Sequence, residues 1–205
     1  ADPQAAPAPV VPSYAPPVPG VPRVVVVGDT AVSEEATGSW PQVLCSWLRC
    51  EAVEMTAPGT GWTVPGSDGR TVADRLEEVV AARPDVLVIA AGAADLETGQ
   101  PRVRGSANQL LYRLQKRMPG TPVLVLSPFS ATAPAPAPVT AVRDWLRDAS
   151  AKHGAAFVDI TGLFDADHAW MVDPGTGLPN RYGRADVADT VEPVVLPLLQ
   201  PTYGG

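Results

Sequence analysis

The sequence predicts a three-layer α/β/α sandwich around a central, mainly parallel five-stranded sheet. Three observations carry this. Several short runs, Val24–Val27, Val86–Ala91 and Pro122–Leu126, are apolar at every position, as strands covered on both faces must be. Amphipathic stretches of helical period alternate with them, which implies right-handed crossovers and a doubly wound sheet. The 205 residues, 45% hydrophobic and 18% charged, suffice for one sizeable core.

Each element has a local reason. Residues 1–22 hold eight prolines among Ala, Val and Gly, a composition that favours an extended tail over helix or sheet. The domain is expected to occupy 23–205. Val24–Val27 is β-branched and reads as the first strand. Trp40–Leu48 reads as a helix, with Ser39 as its cap and Pro41 in its first turn. Its tryptophans, Trp40 and Trp47, share a face at seven-residue spacing and are expected in the core. Ala52–Thr56 is a weaker strand. Val72–Ala82 carries Val72, Leu76, Val79 and Val80 on one face and stops before Arg83-Pro84.

Val86–Ala91 follows as the next buried strand. Val103–Met118 is a helix closed by Pro119-Gly120, and Pro122–Leu126 is another buried strand. The run Ala133-Pro134-Ala135-Pro136-Ala137-Pro138 reads as a stiff loop. Thr140–His153 is a helix, with Trp145 in its core face, ended by Gly154 as a left-handed cap. Ala156–Ile160 is the last strand. Val187–Leu199 is the last helix, interrupted or capped by Pro193 and Pro197.

Net charge is −7, with only two lysines, Lys116 and Lys152. An acidic surface without a basic cluster argues against nucleic acid and anionic membranes as partners. No apolar run is long enough to form a transmembrane segment. The Ala1-Asp2-Pro3-Gln4-Ala5 start resembles a mature exported chain, so a secreted or cell-envelope location is expected. There Cys45 and Cys50 are expected to form a disulfide. Inside a regular helix their Cα atoms would lie roughly 8–9 Å apart, too far for a bridge. The pair closes only if the helix ends near Leu48 and the chain turns back; otherwise both are buried thiols. Two cysteines and two distant histidines, His153 and His168, make no metal site.

In doubly wound sheets, ligands sit at the carboxyl ends of the strands. Four blocks at those ends resemble the SGNH (GDSL-type) hydrolase superfamily, in the style of exported actinobacterial members. Val24–Thr30 resembles the strand leading into Gly-Asp-Ser. Ala57-Pro58-Gly59-Thr60-Gly61-Trp62 resembles the second block. Gly92-Ala93-Ala94-Asp95 resembles Gly-x-Asn-Asp, and Leu178-Pro179-Asn180-Arg181-Tyr182-Gly183 resembles the end of Asp-x-x-His-Pro-Asn-x-x-Gly. The likeness spans roughly Arg23 to Leu199 and implies a flavodoxin-like fold and ester hydrolysis.

The residues depart from that chemistry. The resemblance places the nucleophile at Thr30, where β-branching restricts the hydroxyl and adds a methyl group. Gly59 would supply an oxyanion N–H, but the asparagine donor is replaced by Ala94. The base position holds Leu178 and its acid partner's position Gly175. Without a base, a neutral hydroxyl is a very poor nucleophile. Thr30, Gly59, Ala94 and Leu178 therefore read as vestigial positions. Asp165-Ala166-Asp167-His168 offers a substitute Asp-x-x-His, in which His168, oriented by Asp165, would act on Thr30.

Asp29, Gly61, Trp62, Gly92, Asp95 and Trp170 are expected to border the cleft. Asp29 and Asp95 are read as structural rather than metal-binding. Gly59-Thr60-Gly61 lacks the rest of a dinucleotide fingerprint, and no glycine run precedes a Walker lysine, so no cofactor is expected. The sequence thus predicts a catalytically degenerate member of the cell envelope, acting as a binding or scaffold subunit. Its partners would be an envelope protein, engaged through residues 1–22, and a glycan or acyl ligand. The alternative is a weak or atypical esterase or acyltransferase using Thr30 with His168.

Overall fold

A computed structural model describes residues 14–29, 38–132 and 134–199. Five strands form the sheet: β1 (Arg23–Gly28), β2 (Glu51–Thr56), β3 (Val86–Ala90), β4 (Val123–Leu126) and β5 (Ala156–Val158). All pair in parallel, in the order β2-β1-β3-β4-β5. Five helices connect and cover them: α1 (Trp40–Leu48), α2 (Leu76–Ala82), α3 (Gln100–Arg117), α4 (Ala137–Lys152) and α5 (Arg181–Leu199).

The all-apolar strands divide their side chains between two cores, as alternation requires. Val25, Val27, Leu87, Ile89 and Val125 face α2, α3 and α4. Val24, Val26, Val86, Val88, Leu124 and Leu126 face α1 and α5. Every residue of β1 and β3 is buried, and a fully buried Val or Leu side chain contributes about 1.5–3 kcal/mol. Gly28 ends β1 at φ +134°, and a Cβ there would lie 2.1 Å from the Ala90 carbonyl oxygen. Only glycine lets β1 and β3 approach so closely at the mouth of the site.

The Ser39 side chain caps α1, Pro41 sits in its first turn, and Arg49 takes a left-handed conformation just past Leu48. The chain turns back there, and Cys50 N donates to the Cys45 carbonyl. This brings the two Cα atoms to 4.6 Å and closes the Cys45–Cys50 disulfide. Trp40 is buried, but Trp47 is 45% exposed, which corrects its expected place in the core. Helical spacing says which residues share a face, not how far a neighbour covers it. Trp145 is only partly buried against the core.

The stretch 72–82 is a 3-10 turn, Ala73–Arg75, followed by α2. Asp74 accepts from Thr71 N and Oγ1, which tightens that first turn. Helix α4 starts three residues earlier than Thr140, with Pro138 in its first turn. Strand β5 stops at Val158, two residues short of expectation. Helix α5 begins six residues before Val187 and runs through Pro193 and Pro197. Its start is set by Asn180, whose Oδ1 accepts from Tyr182 N and Gly183 N.

The last part of the proline-rich segment packs on the domain. Tyr14 rests against the α2/α3/α4-side core. Buried Arg23 donates to the Ala15 and Ala82 carbonyls and pairs with Glu51 at 2.8 Å. The remainder of the expected tail, residues 1–13, lies outside the described residues. Among the described residues, no helix is long and apolar enough to cross a membrane.

Candidate functional site at the strand carboxyl ends

The carboxyl ends of β1, β3 and β4 open onto a cavity of about 140 Å³. Asp29 follows β1, and its amide donates to Ala90 O at 2.7 Å, locking the end of β1 to β3. Ala91 and Ala93 follow β3, and Ser127, Pro128 and Phe129 follow β4; all five line the cavity. Trp40 at the start of α1, Ile160 beyond β5, and Val187 on α5 complete an apolar wall. Leu178 and Pro179 come from a hairpin closed by the Val172–Pro179 bridge and by Asp173 N to Leu178 O at 2.8 Å.

Three polar side chains reach this space. Asp29 Oδ1 accepts from Gly59 N at 3.1 Å. Burial holds the Asp29 carboxyl above its ordinary pKa, and the Gly59 bond only partly offsets this. That bond also engages the amide expected to face an oxyanion. Buried Ser127 accepts from Ile160 N at 2.8 Å and from Thr161 Oγ1 at 3.0 Å, and donates to Asp159 Oδ1 at 3.1 Å. Its hydroxyl is committed to tying β4 to the chain beyond β5. Arg184, 2% exposed, lies in the wall with Nη1 directed at the Pro179 carbonyl.

The remaining sequence-predicted residues scatter. Thr30 lies outside the described residues. Ala94 is half-buried in a 3-10 turn, Ala93–Asp95, and carries no donor. Trp62 is corrected from cleft rim to core. It is 1% exposed, its Nε1 donates to Ala91 O at 3.3 Å, and its carbonyl accepts from Ser106 Oγ.

Asp95, fully buried, accepts from Trp62 N at 2.7 Å, Thr63 N at 2.9 Å and Thr63 Oγ1 at 2.6 Å. It pins the loop after β2 to the loop after β3. Gly61 packs directly on that carboxylate, which a Cβ would meet at 2.7 Å. Gly92 is buried under Pro128, Val142 and Leu146. Gly61, Trp62, Gly92 and Asp95 therefore build the loops behind the cavity and do not line it.

Neither of the chain's two histidines lines the cavity. His168 is exposed, and its Nδ1 meets Asp165 Oδ1 at 2.7 Å, so the substitute pair read from Asp-x-x-His is assembled. The Asp165 hydrogen bond and charge raise His168 above its ordinary pKa and lower Asp165. His153 sits elsewhere, between α3 and α4, with Nε2 3.0 Å from Asn108 Oδ1. Trp170, 57% exposed, meets the Tyr182 ring edge to face rather than the cavity. Among the described residues, no group of three or more His, Cys, Asp or Glu side chains is placed to hold a metal ion.

Sequence reading missed Trp40, Ser127, Phe129 and Arg184 as cavity wall. Ser127 and Phe129 were within reach, because they directly follow an apolar strand at its carboxyl end. Arg184 was hidden by the late expected start of α5.

Residues 25–184 match the model of the GDSL-like Lipase/Acylhydrolase family. The chain is 29% identical to the GDSL lipase Rv0518 of Mycobacterium tuberculosis, covering 84% of this chain and 80% of that protein. The crystal structure of TesA shares the fold with a TM-score of 0.71 at 19% identity, over 86% of this chain and 99% of that one. An inhibitor-bound aryl esterase of M. smegmatis superposes with a TM-score of 0.68 at 17% identity, over 87% of this chain and 100% of that one.

Proposed function

Since the chain belongs to the GDSL-like lipase/acylhydrolase family, we propose that it keeps the family's cleft as a binding site and has lost its turnover. One observation carries this reading: Leu178, not a histidine, forms the cavity wall that also holds Asp29, and both histidines lie elsewhere. Removing a general base costs about 10²–10⁴ in rate, and a missing oxyanion donor about 10²–10³. Asp29 is not assigned the base's role, because its Oδ1 already accepts the Gly59 amide at 3.1 Å, even though burial raises its proton affinity. The apolar wall retains a short acyl group, and the chain acts as a binding or scaffold subunit of the cell envelope. The disulfide supports an oxidising compartment.

The test compares p-nitrophenyl acetate and butyrate hydrolysis by the protein and by Thr30→Ala. Equal, background-level rates are expected, together with saturable binding of butyrate that Leu178→Trp abolishes by filling the cavity. Turnover that disappears in Thr30→Ala would overturn the reading.

The assembled Asp165–His168 pair favours a second reading, a weak esterase using Thr30. It requires that a sulfonyl fluoride label Thr30 and that His168→Ala prevent the labelling.

A further inference from the structure

We infer that the outer face of α3 is a docking surface for an extended acidic segment of a partner protein. Helix α3 carries Arg102, Arg104, Arg113, Lys116 and Arg117 and no Asp or Glu, in a chain whose net charge is −7. Composition hides this cluster, and the helix gathers it. Arg102, Gln109, Arg113 and Lys116 follow one another at steps of seven, four and three residues, so they share one face, and all four are exposed. That face runs about 21 Å at 1.5 Å per residue. Tyr112, 54% exposed, lies beside it, with Lys116 Nζ 5.5 Å from its ring centroid.

Folding does not account for these charges. Lys116 and Arg117 complement the helix dipole in the last turn, and Arg117 holds the only salt bridge of α3 among the described residues, to Glu77 at 2.6 Å. Arg102 stands in the first turn, where the dipole disfavours a cation and neither an acidic residue nor a side-chain cap offsets it. Arg113 acts on Glu77 only at longer range, and it repels Lys116 and Arg117 three and four residues on. A helix face that merely meets water normally interleaves acids with its bases. An anionic partner relieves the repulsion.

The surroundings set the kind of partner. Helix α3 sits between α2, met through Arg117 and Glu77, and α4, whose end it meets through Asn108 and His153. Both neighbours expose carboxylates, Glu77 on α2 and Asp144 and Asp148 on α4. Packed helix axes lie about 8–10 Å apart, and charges act over a Debye length of about 8 Å at physiological salt. A flat anionic membrane laid on this layer therefore meets those carboxylates as well, and so does a nucleic-acid duplex, which is broader than one helix. An extended peptide is one strand wide and stays on α3. At about 3.3 Å per residue, roughly six or seven residues cover the face. Its carboxylates match the guanidinium forks of Arg102 and Arg113. No residue of α3 lines the cavity, so a docked chain leaves the cleft open, and the surface does not depend on whether the cleft turns over esters.

The experiment titrates the isotope-labelled full chain with deca-glutamate, to about 5 mM in about 20 mM salt, and follows the backbone amides by NMR. Saturable shifts are expected at Arg102, Gln109, Arg113 and Lys116. At about 0.5 M salt, where charges are screened within a few ångströms, they should vanish. The double reversal Arg113→Glu/Lys116→Glu should weaken binding about tenfold or more, Lys116→Arg should retain it, and Leu178→Trp should leave it unchanged. If deca-glutamate moves no amide of α3 in low salt, the proposal fails. It fails equally if the double reversal binds as tightly as the wild type, or if phosphatidylglycerol vesicles or duplex DNA occupy the same residues more tightly than deca-glutamate. Shifts of the α3 amides on dilution alone would put a second copy there and overturn it too. Because the wild-type amides decide by themselves, a variant that loses its fold does not obscure the result.

Discussion

Replacing Asp95 by asparagine tests whether the loops around the cleft are held by a single buried carboxylate. Asp95 is fully buried, and its two oxygens accept from Trp62 N, Thr63 N and Thr63 Oγ1 at 2.6–2.9 Å. An amide turns one of those oxygens into an NH₂. If that group replaces Oδ2 it faces the Trp62 N–H; if it replaces Oδ1 it faces the Thr63 N–H. The Thr63 hydroxyl can rotate to accept, but an amide N–H cannot. One backbone donor, buried at Trp62 or part-buried at Thr63, is therefore orphaned in either orientation, at about 1–3 kcal/mol for full burial. The remaining bonds also change from charge-assisted to neutral, which roughly halves their strength.

Together these give a loss of about 2–4 kcal/mol, out of a typical total of about 5–15 kcal/mol. For a chain of this size that is a fall in Tm of roughly 5–15 °C. The assay is guanidinium unfolding at pH 7, followed by tryptophan fluorescence, with Asp95→Ala as the harsher companion. A change below about 0.5 kcal/mol, the range of ordinary surface substitutions, would refute the assignment. Because both oxygens are already occupied by donors, a chelator should leave the Tm of the wild type unchanged. A fall with EDTA would contradict the structural reading of Asp95.

Three further outcomes are expected. In an NMR titration the two histidines should separate: His168 above the ordinary value of about 6.5 and His153 below it, because burial and Lys152 disfavour its charge. Asp165→Asn should bring His168 down. The His168 contribution to stability is complete below the unfolded histidine pKa and is lost as pH rises through the raised folded one, while that of Asp165 is lost as pH falls through its depressed value. A His168 value unmoved by Asp165→Asn would remove the pair. The Cys45→Ser/Cys50→Ser double variant, which opens a loop with a sequence separation of 5, should lose about 2 kcal/mol by the chain-entropy relation. A loss below about 0.5 kcal/mol would mean that the denatured chain already holds the turn. Gly28→Ala should cost about 3 kcal/mol or more, because its Cβ would meet backbone in a parallel ladder that has no room to shift. Near-wild-type unfolding of that variant would contradict the close approach of β1 and β3.

The parts of the fold that were legible rest on local rules. Apolar runs such as Val24–Val27 and Val86–Ala90 have only one use in a chain of this size, a strand covered on both faces. Ser39, Pro41 and Gly154 mark helix ends through backbone geometry that depends on a few neighbours. The Cys45–Cys50 condition, that the helix end at Leu48 and the chain turn back, is local too, and Arg49 meets it. The start of α5 was not legible. Asn180 caps that helix while also bonding Trp170 and Met171, and the latter contacts exist only once the hairpin before it is folded.

The candidate site divides along the same line. From sequence alone came the residues that stand where the resemblance expects catalytic groups: Thr30 with its hydroxyl on a β-branched carbon, Ala94 without a donor, Leu178 without a basic nitrogen. Residue identity suffices for those statements, because no packing gives leucine a proton-accepting atom. Tertiary structure alone decided where the retained groups point. It turned the Gly59 amide onto Asp29, buried Trp62 and Asp95 behind the loops, committed the Ser127 hydroxyl to Asp159, and left Trp170 in water beside Tyr182. The reason is physical: a side chain's chemistry travels with its identity, but its burial and hydrogen-bond partners are set by segments distant in sequence.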